Sequence, residues 1–324
     1  MRVAVIDDFL KVALKTADWS PVQAKAEVTV FTDHLADPAQ LVERLKPYEV
    51  VAVMRERTPF PRAVLEKLPN LKFLATTGRA NRSLDMTAAT EQGVIVSGTE
   101  SIGNSTCELA WGLILAVARN IPVNDADVRQ GGWQLGTGMA LQDKTLGILG
   151  LGKIGARSAQ VAQAFGMKVI AWSQNLTEER CREIGVEKAA SKEDLLARAD
   201  VVTIHLVLGD RTRGLIGPKE FALMKPTAIL VNTSRGPIVQ QDALLEALRN
   251  GRIAGAGLDV YDIEPLPADH PMRSAPRTVL TPHLGYVSDS SFDAFYGQTV
   301  ENIAAWLDGK PIRVVNPEVL QKKA

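Results

Sequence analysis

Arg235, Glu264 and His283 follow one another along the chain, downstream of a glycine-rich turn, Gly150-Leu151-Gly152-Lys153-Ile154-Gly155. A guanidinium can grip the adjoining carboxylate and carbonyl of a 2-keto acid with its planar fork. Hydride delivery to that carbonyl leaves an oxyanion that must gain a proton, and an imidazole can give it. A carboxylate beside the imidazole favours the protonated ring and fixes its tautomer for the reverse reaction. The three side chains therefore suffice to reduce a 2-keto acid, provided a hydride donor is bound. Singly, each has an ordinary reading: a surface arginine, a turn glutamate before proline, a structural histidine. Their convergence on one sheet edge carries the functional one.

The elements that must hold them come from hydrophobic patterning. Short β-branched runs alternate with helical spacing almost throughout, which predicts parallel α/β sheets. A first set of strands is expected at 3–6, 28–31, 50–53, 73–76 and 94–96. A second is expected at 145–149, 169–172, 201–206, 228–232, 255–260 and 279–281. Arg235, Glu264 and His283 each follow a strand of the second set, at the carboxyl ends where open α/β sheets hold ligands.

The glycine turn follows strand 145–149 and opens a helix. Gly150 makes the turn, Gly152 lets a pyrophosphate approach, and Gly155 lets helix pack on strand. The helix start, with Lys153 and Ile154, adds backbone donors and partial positive charge. The first strand of the chain is followed instead by Asp7-Asp8-Phe9, so the dinucleotide is assigned to the second set. NAD binders usually place a carboxylate about 20 residues on, to hold the ribose hydroxyls. Here Ser173 and Gln174 stand there, with no arginine directly beside them. The cofactor expectation is NADP(H), narrowly ahead of NAD(H).

Composition sets the frame. With 324 residues the chain has room for two domains, and 37 Lys+Arg against 37 Asp+Glu give no electrostatic case for nucleic acid or an anionic membrane. No apolar run approaches the roughly 20 residues of a membrane span. Met1 to Asp8 reads as a first strand and not as a signal peptide. Cys107 and Cys181 have no metal-ligand spacing, so no metal and a cytoplasmic location are expected. His34 is expected in solvent, His270 in a polar turn, and Met139 in packing or a subunit contact.

At these motifs the chain resembles the D-isomer-specific 2-hydroxyacid dehydrogenases over essentially its whole length. The matches are the glycine turn, Val231-Asn232-Thr233-Ser234-Arg235-Gly236, Gly257-Leu258-Asp259-Val260 and Thr281-Pro282-His283. The resemblance implies two doubly wound parallel-sheet α/β domains. One is a Rossmann-type nucleotide domain over 100–285; the other is a flavodoxin-like substrate domain built from 1–99 and 286–324. It implies Arg235 for substrate binding, His283 as acid/base with Glu264 as partner, and Asp259 near the nicotinamide. Thr233 and His205 join the cofactor-binding set, and Asn104 falls near the junction of cofactor and substrate. A homodimer through the segment 121–141 is implied too.

Two departures stand out: Ala80 in Gly78-Arg79-Ala80-Asn81, where a second glycine is common, and no proline in Leu206-Val207-Leu208 after His205. Gly78, Arg79 and Arg55 follow strands of the first set and are candidates for substrate binding. The alternative for the two arginines is surface ion pairing worth under about 1 kcal/mol. The expected activity is reduction of a small 2-keto acid, as by glyoxylate or hydroxypyruvate reductases. Phosphoglycerate oxidation is the nearer alternative, and a nicotinamide-sensing binding protein on the same fold the more distant one.

Overall fold

The structure, a computed structural model, describes residues 1–100 and 104–321. The chain divides into two compact units, residues 1–103 with 288–324 and residues 104–287. Both are built on parallel sheets.

Unit 1 carries β1 (Arg2–Val5), β2 (Glu27–Val30), β3 (Val50–Val53), β4 (Phe73–Thr76) and β5 (Ile95–Gly98) in the order β2-β1-β3-β4-β5. Every pairing is parallel. β3, Val-Val-Ala-Val, is buried at all four positions, because a parallel sheet is covered on both faces and its strands read as unbroken apolar runs. Helix starts are marked by side chains that satisfy the first amide groups: Asp37 accepts from the Ala39 amide and Asp85 from the Ala88 amide.

The last long helix, Asp289–Leu307, belongs to this unit. Phe292, Phe295, Val300 and Ile303 are buried along it, and Trp306 stacks on Phe73 with ring centroids 5.2 Å apart. The tail then pairs with β5. Val315 donates to the Val96 carbonyl at 2.8 Å, and the Asn316 side chain caps both the Val96 amide and the Val94 carbonyl at 2.9 Å.

Unit 2 carries β6 (Thr145–Leu149), β7 (Lys168–Trp172), β8 (Glu187–Lys188), β9 (Val201–Ile204), β10 (Ile229–Asn232), β11 (Gly255–Leu258) and β12 (Thr278–Leu280). Their order is β12-β11-β10-β9-β6-β7-β8, again all parallel. Successive residues face opposite sides. Val201, Ile229 and Val231 join one buried cluster; Val202, Leu230 and Ala256 join the other. Each such valine, leucine or isoleucine contributes about 1.5–3 kcal/mol of burial.

The helix Ser105–Ala118 packs on β10 and β11. Two glycines in β11 make room for it: a Cβ on Gly257 would lie 2.9 Å from Leu113 Cβ, and one on Gly255 3.0 Å from a Val117 methyl. In this sheet the strand order reverses direction between β6 and β9, which is where a doubly wound sheet opens a ligand crevice.

The expected strands are present with small shifts at their ends, and one, β8, had no counterpart in the hydrophobic pattern. It is a two-residue edge strand of Glu187 and Lys188, held by backbone pairing to β7. Among the described residues, no single helix is long and apolar enough to cross a membrane.

Candidate active site

The glycine turn sits at the carboxyl end of β6, beside the end of β9. Gly150 has φ +102°, and a Cβ there would meet the His205 carbonyl oxygen at 2.8 Å. A Cβ on Gly155 would lie 2.1 Å from the Gly150 oxygen, so the helix Lys153–Ala164 can pack on the turn only without a side chain. At Gly152, by contrast, a Cβ would meet no described residue within 4 Å. That open space is what a pyrophosphate over the turn requires, and Gly152 caps the helix with no side-chain bond to its first amides. A second feature fits a ligand here: Thr233 is buried, and its Oγ1 has no hydrogen-bond partner among the described residues.

His205 follows β9. Its Nε2 lies 3.1 Å from Thr203 Oγ1 and 3.2 Å from Ser158 Oγ. Burial holds its pKa down to about 4, so the ring is neutral at physiological pH. Ser173 and Gln174 follow β7, and the Gly150 amide donates to the Trp172 carbonyl at 2.9 Å, tying the end of β7 to the turn.

The second half of the site is assembled by loops after β10, β11 and β12. After β10, the buried Asn232 shapes the loop: its Nδ2 donates to the Arg235 carbonyl at 3.0 Å, and its Oδ1 accepts from the Ser234 amide at 3.0 Å. Ser234 Oγ donates to the Leu206 carbonyl at 2.8 Å, linking this loop to the one after β9. Arg235 is half-buried, with Nη1 on the Ser234 carbonyl at 2.7 Å. Gly236 allows the next contact. A Cβ there would lie 2.1 Å from the Tyr261 carbonyl carbon, so the Arg235 loop and the loop bearing Glu264 touch through backbone alone.

Glu264 is held from two sides. Its Oε1 accepts from the Tyr261 amide at 2.8 Å, and its Oε2 lies 2.5 Å from His283 Nδ1. Both side chains stay partly open, 26% exposed for His283 and 32% for Glu264. With Nδ1 on the carboxylate, Nε2 is the ring nitrogen that can exchange a proton with a substrate. His283 has φ +56°, a left-handed backbone that a β-substituted residue adopts only when its surroundings impose it.

Asp259 supplies those surroundings. Fully buried, it accepts from Thr281 Oγ1 at 2.6 Å, the Leu284 amide at 2.7 Å and the Gly285 amide at 2.8 Å, while its own carbonyl accepts from the His283 amide at 2.8 Å. Burial pushes the Asp259 carboxyl above the ordinary carboxylate range, against the pull of these donors. Asn104 begins the helix Ser105–Ala118, and Thr106 in its first turn donates to the Gly285 carbonyl at 2.8 Å.

The remaining candidates lie in unit 1. Arg55 has φ +51°; its amide donates to Thr77 Oγ1 at 2.8 Å, and its guanidinium covers Gly78, where a Cβ would fall 1.9 Å from Nη1. The Gly78 amide donates to Thr99 Oγ1 at 2.8 Å. The buried Asn81 donates to the Arg55 carbonyl at 2.6 Å, so this loop is fixed from within. Arg79 is 79% exposed and pairs with Glu100 at 2.5 Å, the surface ion pair weighed against a substrate role.

His34 is not in solvent as expected. Its side chain is only 12% exposed, and its Nδ1 lies 2.9 Å from Asp7 Oδ1. His270 caps a short helix by accepting from the Met272 amide at 3.1 Å, and Met139 packs on the core of unit 2. Sequence reasoning did not single out Asn232, Gly236 or Tyr261. Gly236 gave a usable signal, since a glycine directly after a candidate arginine points to a close backbone approach.

Comparison with known proteins identifies the family. Residues 111–285 match the family model described as D-isomer specific 2-hydroxyacid dehydrogenase, NAD binding domain. A glyoxylate reductase of Aeropyrum pernix is 41% identical over 269 residues, 80% of each chain. A D-3-phosphoglycerate dehydrogenase of Methanocaldococcus jannaschii is 38% identical over 88% of this chain, which spans about half, 55%, of that relative. A solved phosphoglycerate oxidoreductase of Vibrio cholerae superposes with a TM-score of 0.90 at 36% identity, covering 95% of this chain and 99% of that one. The chain belongs to the D-isomer specific 2-hydroxyacid dehydrogenase family. It is an enzyme of small 2-keto and 2-hydroxy acids that works with a nicotinamide cofactor.

Proposed function

We propose that the protein reduces glyoxylate or hydroxypyruvate to the corresponding 2-hydroxy acid, using NADPH in preference to NADH, as a cytoplasmic homodimer. The observation that carries the catalytic part is the Glu264–His283 pair, partly open and locked by Tyr261 and Asp259. A bound nicotinamide cofactor supplies the hydride. Gly150, Gly152, Gly155 and the amides of Lys153 and Ile154 would hold its pyrophosphate, and Thr233 and His205 would line its pocket.

Arg235 binds the substrate carboxylate and orients the keto group. His283 donates the Nε2 proton to the developing alkoxide. Glu264 balances the charge of the imidazolium before the transfer and holds the neutral ring in place after it, with Nε2 free to take a proton in the reverse direction. Similarity to the glyoxylate reductase supports the substrate choice. The phosphoglycerate relatives favour a second one, 3-phosphohydroxypyruvate.

Ser173 in place of a carboxylate supports NADPH, since nothing at that position repels a 2′-phosphate. The apolar side chains Ile121, Val123 and Val128 are each 52% exposed and Trp133 is 79% exposed, a surface suited to a second copy of the chain. Two buried free thiols, Cys107 and Cys181, suit a reducing compartment. Charge balance supports neither a nucleic-acid nor a membrane partner.

The test is consumption of NADPH and NADH with glyoxylate, hydroxypyruvate, pyruvate and 3-phosphohydroxypyruvate in parallel. The highest kcat/KM is expected for glyoxylate or hydroxypyruvate with NADPH. Exclusive turnover of the phosphorylated acid would replace the substrate assignment, and silence with every pair would overturn it.

A further inference from the structure

The helix Glu178–Ile184 follows β7 and carries Arg180, whose side chain folds back onto the glycine turn. Arg180 Nε donates to the Leu151 carbonyl at 3.4 Å, and Nη1 donates to Glu183 Oε2 at 2.9 Å. Leu151 lies between Gly150 and Gly152, and the Gly150 amide is bonded to Trp172 at the end of β7. The guanidinium therefore lies against the turn to which the residue before Ser173 is bonded. In dinucleotide-binding folds that corner faces the adenosine ribose, where a carboxylate selects the free 2′-hydroxyl and an arginine accommodates a 2′-phosphate. The usual position has no carboxylate, and a cation arrives from seven residues further on.

We propose that Arg180 reads the 2′-phosphate of NADPH and is the residue that sets the coenzyme preference. A guanidinium suits a phosphate through its fork of donors, and Ser173 and Gln174 add neutral donors beside it. Glu183 steadies the arginine. Its own side chain is 56% exposed, so it can turn to solvent when a phosphate takes its place. The assignment deepens the proposed NADPH preference and rests on it, but a separate comparison decides it.

The experiment is fluorescence titration of the wild-type protein and of Arg180→Gln and Arg180→Lys with NADPH, NADH and adenosine 2′,5′-bisphosphate. Arg180→Gln is expected to weaken NADPH and the bisphosphate about 10- to 100-fold, the loss of a charge-assisted pair, and to leave NADH unchanged. Arg180→Lys, which keeps the charge without the fork, falls between. Because NADH binding reports an intact turn, a fold defect would show as equal loss of both coenzymes, and that result overturns the assignment, as does unchanged NADPH binding. If the wild type prefers NADH but Arg180→Gln still removes its residual NADPH binding, the preference fails and Arg180 stands. If the wild type prefers NADPH and the variant keeps the same ratio, Arg180 fails and the preference stands.

Discussion

Each unit holds a histidine–carboxylate pair beyond the carboxyl ends of its parallel strands, and only one of the two has the open ring and the neighbouring groups that the proposed catalysis needs. In unit 1, His34 Nδ1 lies 2.9 Å from Asp7; in unit 2, His283 Nδ1 lies 2.5 Å from Glu264. Asp7 and His283 even share a left-handed backbone, at φ +60° and +56°. The surroundings differ.

Asp7 is 1% exposed, its second oxygen accepts from Thr58 Oγ1 at 2.7 Å, and its carbonyl accepts from Arg57 at 2.6 Å. That pair closes a buried knot under the loop after β1. The Glu264 pair keeps a quarter to a third of each side chain open, and its sheet also carries the glycine turn and Arg235. An imidazole on a carboxylate is therefore no sign of catalysis by itself. Openness and a neighbouring ligand cradle make it one.

The contrast predicts opposite outcomes for matched substitutions. His283→Asn should lower kcat/KM for the keto acid by about 10²- to 10⁴-fold, the usual yield of a positioned proton donor, with thermal unfolding unchanged. His34→Asn should leave kcat/KM unchanged and lower the unfolding free energy by about 1–3 kcal/mol, the cost of a buried carboxylate losing a partner. Steady-state kinetics beside denaturant unfolding reads both, and exchanged outcomes would break the comparison.

Gly236→Ala should come next. Its new methyl must part the Arg235 loop from Tyr261, and a displacement of that kind is expected to cost about 10²-fold in turnover while coenzyme binding persists. Coenzyme titration alongside turnover checks it.

His205 gives an effect confined to acid and a third kind of histidine. Its folded pKa of about 4 lies below the ordinary 6.5, so protons bind the unfolded chain preferentially between these values. Its contribution is fully present above pH 6.5 and is lost as pH falls toward 4, a change of about 3 kcal/mol. A His205→Gln variant should lack that part of the acid slope in unfolding measured across this range.

Much of this was legible in the chain. Short apolar and β-branched runs marked eleven of the twelve strands, and the turn, Arg235, Glu264 and His283 stood out as candidates because their chemistry is local to short motifs. What stayed hidden depends on partners distant in sequence. Gly236 meets Tyr261 25 positions later, Asp7 meets His34 27 positions later, and Arg180 reaches Leu151 across 29. β8 carries no apolar signal because an edge strand of Glu187 and Lys188 is held by its backbone. Asp259 was placed beside the cofactor by resemblance; the hydrogen bonds that fix the His283 loop could not be read before the fold closed on it.

The central claim is that this site moves a hydride between a nicotinamide and the carbonyl carbon of a 2-keto acid. The most direct measurement supplies NADPH deuterated at the transferring position, with hydroxypyruvate as substrate, and reads the glycerate product by mass spectrometry and NMR. The account predicts one deuterium, on the carbon that bears the new hydroxyl, in the D-isomer alone, with formation slowed in His283→Asn. Product without deuterium at that carbon, or labelled product formed at the same rate by His283→Asn, would contradict it.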